Sequence, residues 1–163
     1  MEARIVDATL MRLRAALEHD DLEGAAAIIE TLRPADQAEI FSELNDTHQV
    51  ALLQELDPAE SADILEKMDD QQAARLIDGL PTESVIRIVD EMQPDEAADL
   101  LGDIHPSQAQ AVLAGLEAPD DVQPLLLHRD DSAGGLMSSE FLALRARVTV
   151  AQAIQEIRNW EPA

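Results

Sequence analysis

Every twelfth residue from position 32 to position 116 is large and apolar: Leu32, Leu44, Leu56, Met68, Leu80, Met92, Ile104 and Leu116. No other feature constrains the fold of this chain as tightly. Counting each of these as position one of a unit, positions nine and ten are apolar as well: Ile40-Phe41, Leu52-Leu53, Ile64-Leu65, Leu76-Ile77, Ile88-Val89, Leu100-Leu101 and Val112-Leu113. Ile28-Ile29 carries the pattern one unit upstream, and position seven is mostly Ala. A fixed internal period is the mark of stacked, like units.

The period does not fit one long helix. Twelve residues make about 3.3 helical turns, so the apolar stripe would rotate by roughly 120° per unit and leave any single face. The helix must break once per unit. Pro34, Pro58, Pro94 and Pro106 all fall at position three, and a proline ring suits the first turn of a helix but not its interior. Asn45, Asp57 and Asp69 precede position three and offer N-cap side chains; Pro81 falls one place early. Each unit therefore reads as a helix of about eight to ten residues and a tight turn, too short to be stable alone in water. The expected architecture is all-α, an α-solenoid of short helices stacked through positions one, seven, nine and ten. A longer helix from about Glu2 to His19 caps its start. Composition agrees: 46% of residues are hydrophobic but only 2% are aromatic, which favours close-packed helices over a sheet.

After Leu116 the period fails. Pro119 starts a last short helix, read as 120–128 with a kink at Pro124, and Gly134-Gly135 marks a turn or a close backbone approach. The alternating, β-branched stretch 140–150 reads as a strand, and Thr149 as the N-cap of a helix over 150–160. The expected division is a helical superhelix over 1–128, a linker over 129–140, and a short strand–helix tail over 141–163 that begins a second domain.

Acidic residues outnumber basic ones 34 to 11, for a net charge of −23. Nucleic acid and anionic membrane surfaces are disfavoured partners, and cations or basic proteins are the natural complement. With no cysteine, disulfides, thiol catalysis and Cys-based zinc sites are excluded. The N-terminus lacks a secretory apolar core, and no apolar run approaches the ~20 residues that span a bilayer.

The chain carries no nucleophile elbow, phosphate-binding loop, dinucleotide fingerprint or zincin motif. None of His19, His48, His105 and His128 is spaced three or four from another. An enzyme is not expected. The acids are more informative. Asp63 and Asp99 share position eight, and Asp95 lies one helical turn before Asp99. Like charges at that spacing repel by about 0.2–0.5 kcal/mol. They are either ordinary helix-start and surface acids or a pair that a hydrated Mg²⁺ would relieve, with Glu96 as a helper.

The junction Asp131, Ala133-Gly134-Gly135-Leu136-Met137 and Glu140 resembles the segment before the first CBS (cystathionine-β-synthase-type) domain in the MgtE family of magnesium transporters. Ser138-Ser139 stands where the family pattern has Thr-Pro. The repeat region is similar to that family's cytosolic N domain, a right-handed superhelix of short helices. The resemblance implies a regulatory domain at the cytoplasmic side of the inner membrane, part of a homodimeric, multi-pass Mg²⁺ transporter. In that role Mg²⁺ bridges the acidic superhelix to the CBS domain and favours pore closure. Carried over residue by residue, the metal contacts implied are Asp63, Asp95, Asp99 and the carbonyl of Gly135, each half of a site completed by CBS acids. A second reading is a non-enzymatic helical scaffold binding a protein partner, similar to flagellar motor switch proteins; the A-G-G-L-M junction speaks against it.

Overall fold

The computed structural model describes residues 2–128, 132, 134 and 142–160. Among them every regular element is helical. The chain runs through α1 (Glu2–Glu18), α2 (Leu22–Glu30), α3 (Pro34–Ser42), α4 (Asp46–Glu55), α5 (Pro58–Leu65), α6 (Asp70–Asp78), α7 (Thr82–Val89), α8 (Pro94–Asp103), α9 (Pro106–Leu113) and α10 (Pro119–Val122). A 3₁₀ turn at Leu125–Leu127 and a separate α11 (Val150–Asn159) follow.

The breaks fall where local chemistry puts them. Pro34, Pro58, Pro94 and Pro106 are each the first helical residue. Asn45, Asp57 and Asp69 cap α4, α5 and α6 by accepting the amides of His48 at 2.9 Å, Ala59 at 3.1 Å and Gln72 at 3.3 Å. Pro81, one place early, takes the N-cap position of α7 itself. The capping helix α1 ends in a Schellman turn: Asp20 takes φ 57°, the Asp20 amide reaches Leu17 O, and the Asp21 amide reaches Ala16 O.

Short helices pack here on the helix two places along: α2 on α4, α3 on α5, α4 on α6, α5 on α7, α6 on α8 and α7 on α9. One continuous core results, from Leu13 to Leu125. Positions nine and ten are buried in every unit from Ile40 to Leu101, and position one is buried or packed against the core throughout. Position eight stays outside the core, as the sequence leaves it free to vary.

Position six is also interior, although polar residues hold it in the first three units. Gln37, Gln49 and Ser61 stand there in successive units and are 2%, 5% and 0% exposed. Each donates to a carbonyl in the last turn of the preceding helix: Gln37 to Ile29 at 3.3 Å, Gln49 to Phe41 at 2.7 Å and Ser61 to Leu53 at 3.3 Å. Last-turn carbonyls lack the usual amide four residues on; Ile29 O and Phe41 O also accept the turn amides of Leu32 at 2.9 Å and Leu44 at 3.1 Å. In later units Ala73, Val85 and Ala97 fill the same place.

The tail departs from expectation. Residues 142–149 form no strand; they are irregular, with a turn at 146–147. A lone strand has no neighbour to satisfy its backbone groups, so an alternating pattern without a partner stays irregular. The helix after it does form, with Thr149 and Gln152 in a reciprocal capping box. None of its residues is buried. The helix read over 120–128 is instead the four-residue α10 and the 3₁₀ turn, divided at Gln123-Pro124.

Candidate cation-responsive face

Helix α8 gathers the acids. Asp95 and Glu96 lie in its first turn and Asp99 one turn on. All three are half-buried because α8 packs against α6, α9 and α10. One carboxylate oxygen of Asp95, Oδ1, is buried without a hydrogen-bond partner. Buried carboxylate oxygens are ordinarily satisfied, so this one marks a place where a donor or a cation would be stabilised.

A groove runs beside them. Leu65 and Glu66 from the end of α5, Asp70 and Ala73 from α6, and Met92, Glu96, Asp99 and Leu100 from the α8 unit line it. Its floor is apolar and its rim carboxylate. The Glu96 carboxyl is held above the usual glutamate value of 4.5, first by burial and then by the charges of Glu66, Asp95, Asp99 and Asp70. Both causes act against the ionised form. At this face carboxylates crowd one another.

The sequence signal finds Asp95, Asp99 and Glu96 and misses Glu66 and Asp70, which come from two other helices. Glu66 also makes a structural bond, accepting the backbone N–H of Gln93, the N-cap of α8, at 3.0 Å. Asp63 does not line the groove. It is exposed on α5 and pairs with Lys67 at 3.8 Å, a contact worth little in water. Gly135 lies outside the described residues. Its neighbour Gly134 passes so close to the chain that a Cβ there would stand 2.5 Å from the His128 ring, so the first glycine of the pair serves a close approach.

Among the described residues, no three acidic or histidine side chains form a closed metal cage. The donors present are hard oxygens, the kind that Mg²⁺ prefers, and it keeps several waters while using one or two carboxylates. The arrangement suits one side of a bridged, hydrated ion.

The model of the MgtE intracellular N domain matches residues 32–129, more than half of the chain. No curated protein matches. Among solved structures, the cytosolic domain of the Mg²⁺ channel MgtE in complex with ATP superposes with a TM-score of 0.81 at 26% identity, covering 92% of this chain and 62% of that one. The soluble part of a magnesium transporter superposes with a TM-score of 0.76 at 23% identity, covering 94% of this chain and 62% of that one; at that identity it supports the fold alone. This chain thus spans 62% of the length of those solved chains. With the twelve-residue superhelix, the acidic α8 face and the family match in place, the chain belongs to the MgtE intracellular N domain family.

Proposed function

We propose that this chain is the Mg²⁺-sensing regulatory domain of a magnesium transporter or channel, working by binding rather than catalysis. It would act on the cytoplasmic side of the inner membrane, within a homodimeric protein whose CBS and membrane-spanning parts are its partners. The observation that carries the reading is the buried, unpartnered Asp95 Oδ1 beside a crowded carboxylate rim. When Mg²⁺ is scarce, that rim repels any acidic surface set against it. When Mg²⁺ is plentiful, hydrated ions held by Asp95 and Asp99 join the two surfaces and favour the closed pore. Asp63 and the Gly135 carbonyl are further contacts on the same account, and the partner surface supplies the remaining ligands. Repulsion without the ion and attraction with it give Mg²⁺ the differential affinity that a two-state switch requires.

The test uses this domain together with the partner surface that completes its sites. Thermal unfolding is followed in NaCl and in MgCl₂ at equal ionic strength. The expected result is a higher melting temperature in MgCl₂, with the excess removed by Asp95→Asn together with Asp99→Asn. Equal melting temperatures in the two salts would count against the reading.

A further inference from the structure

Two carboxylates, two units apart, do the same structural job. Glu66 accepts the backbone N–H of Gln93 at 3.0 Å, and Asp90 accepts that of Glu117 at 2.9 Å. Both are helix C-cap residues at position eleven of their units, and each reaches 27 residues ahead to position two of the third unit on. Their surroundings differ. Asp90 is exposed, and its target precedes the four-residue α10. Glu66 is half-buried, lines the acidic groove, and holds the N-cap of α8. Gln93 makes no side-chain cap of its own, so Glu66 supplies from outside the negative charge that a helix N-terminus favours.

We propose that Glu66 is a positioning residue for the Asp95–Asp99 pair: its hydrogen bond to the Gln93 N–H fixes the first turn of α8 against the end of α5 and so sets where the two aspartates stand. The proposal rests on the reading of the α8 face as Mg²⁺-responsive. Its physical content concerns position. An acceptor oxygen tied to the Gln93 amide cannot swing away without releasing that amide, so the first turn of α8 and the two aspartates on it keep their place as charge in the groove is neutralised or restored. Asp90, with the same bond but outside the lining of the acidic groove, is the built-in control.

The experiment uses the full-length protein that carries this domain. The Mg²⁺ concentration giving half-maximal protection from proteolysis is measured for wild type, Glu66→Ala, Glu66→Gln and Asp90→Ala, with amide exchange at Gln93 as a second readout. Glu66→Gln keeps an acceptor oxygen, so its midpoint should stay close to wild type and Gln93 should remain protected. Glu66→Ala should raise the midpoint about tenfold, as loss of an orienting partner of a metal ligand does, and expose Gln93 to exchange. Asp90→Ala should lower the melting temperature comparably but leave the Mg²⁺ midpoint unmoved. Equal midpoint shifts in Glu66→Ala and Asp90→Ala would reduce Glu66 to a general structural role and overturn the proposal. So would a Glu66→Gln midpoint as high as that of Glu66→Ala, or unchanged Gln93 exchange in Glu66→Ala beside a normal wild-type response. A wild-type protein without any Mg²⁺-dependent protection overturns the Mg²⁺-sensing reading, and the role of Glu66 in sensing falls with it; Gln93 exchange then still reports whether the bond itself holds α8.

Discussion

Gln49 shows how a polar side chain earns a place in an apolar stack. It is 5% exposed, and its amide donates to Phe41 O at 2.7 Å, across the join between α3 and α4. Replacing it by Leu keeps the volume but removes one donor from that carbonyl, which keeps the Leu44 amide at 3.1 Å, at a cost of about 0.5–1.5 kcal/mol; the urea midpoint of unfolding should fall without a change in slope. Glu96 shows the opposite case, a side chain whose surroundings oppose its charge. Its folded-state pKa is raised, so the stability it contributes is full below the ordinary value of 4.5 and is lost as pH rises through the raised one. Glu96→Gln should therefore match wild type at low pH. At neutral pH it should be more stable by about 0.2–0.5 kcal/mol, the scale of a like-charge helix pair, as read by denaturant unfolding at both pH values.

At the scale of the element, each short helix is specified by its start and by one apolar face. Asn45 accepts the His48 amide at 2.9 Å; Asn45→Ala should cost about 1 kcal/mol, seen as a lower melting temperature. Ile64, fully buried at position nine of its unit, should cost about 2–5 kcal/mol when cut to Ala. These features were legible in the sequence because both the cap and the period are local. The breaks at Pro34, Pro58, Pro94 and Pro106 follow from the ring alone. Position six was not legible, because a Gln or Ser that serves a distant carbonyl looks like a surface residue; the available signal was that Ala73, Val85 and Ala97 later hold the same phase. The groove was half legible. Glu96 and Asp99 share one helix, with Asp95 beside the groove and not in its lining, whereas Glu66 and Asp70 reach it through packing that brings α5 and α6 beside α8, which no spacing along the chain encodes. The stretch before α11 misled for a related reason: alternation describes a strand only when another strand is there to pair with it.

The whole molecule combines a continuous core with an excess of negative charge. A net charge of −23 on 163 residues is self-repelling, so the core must hold together surfaces that push apart, and monovalent salt alone should raise the melting temperature by screening. Helix α11 lies apart from this balance: Val150, Ile154 and Ile157 are 77%, 45% and 55% exposed, and none of its residues is buried. Deleting residues 150–163 should therefore leave the melting temperature of the superhelix unchanged. The charge and the core meet at α8, where the acids are half-buried and one carboxylate oxygen has no partner. The most direct test of the central claim is limited proteolysis of the full-length protein across a Mg²⁺ titration, with and without Asp95→Ala and Asp99→Ala together. The account predicts that Mg²⁺ protects the wild type and that the double substitution abolishes the protection; protection that persists unchanged in the double variant would contradict it.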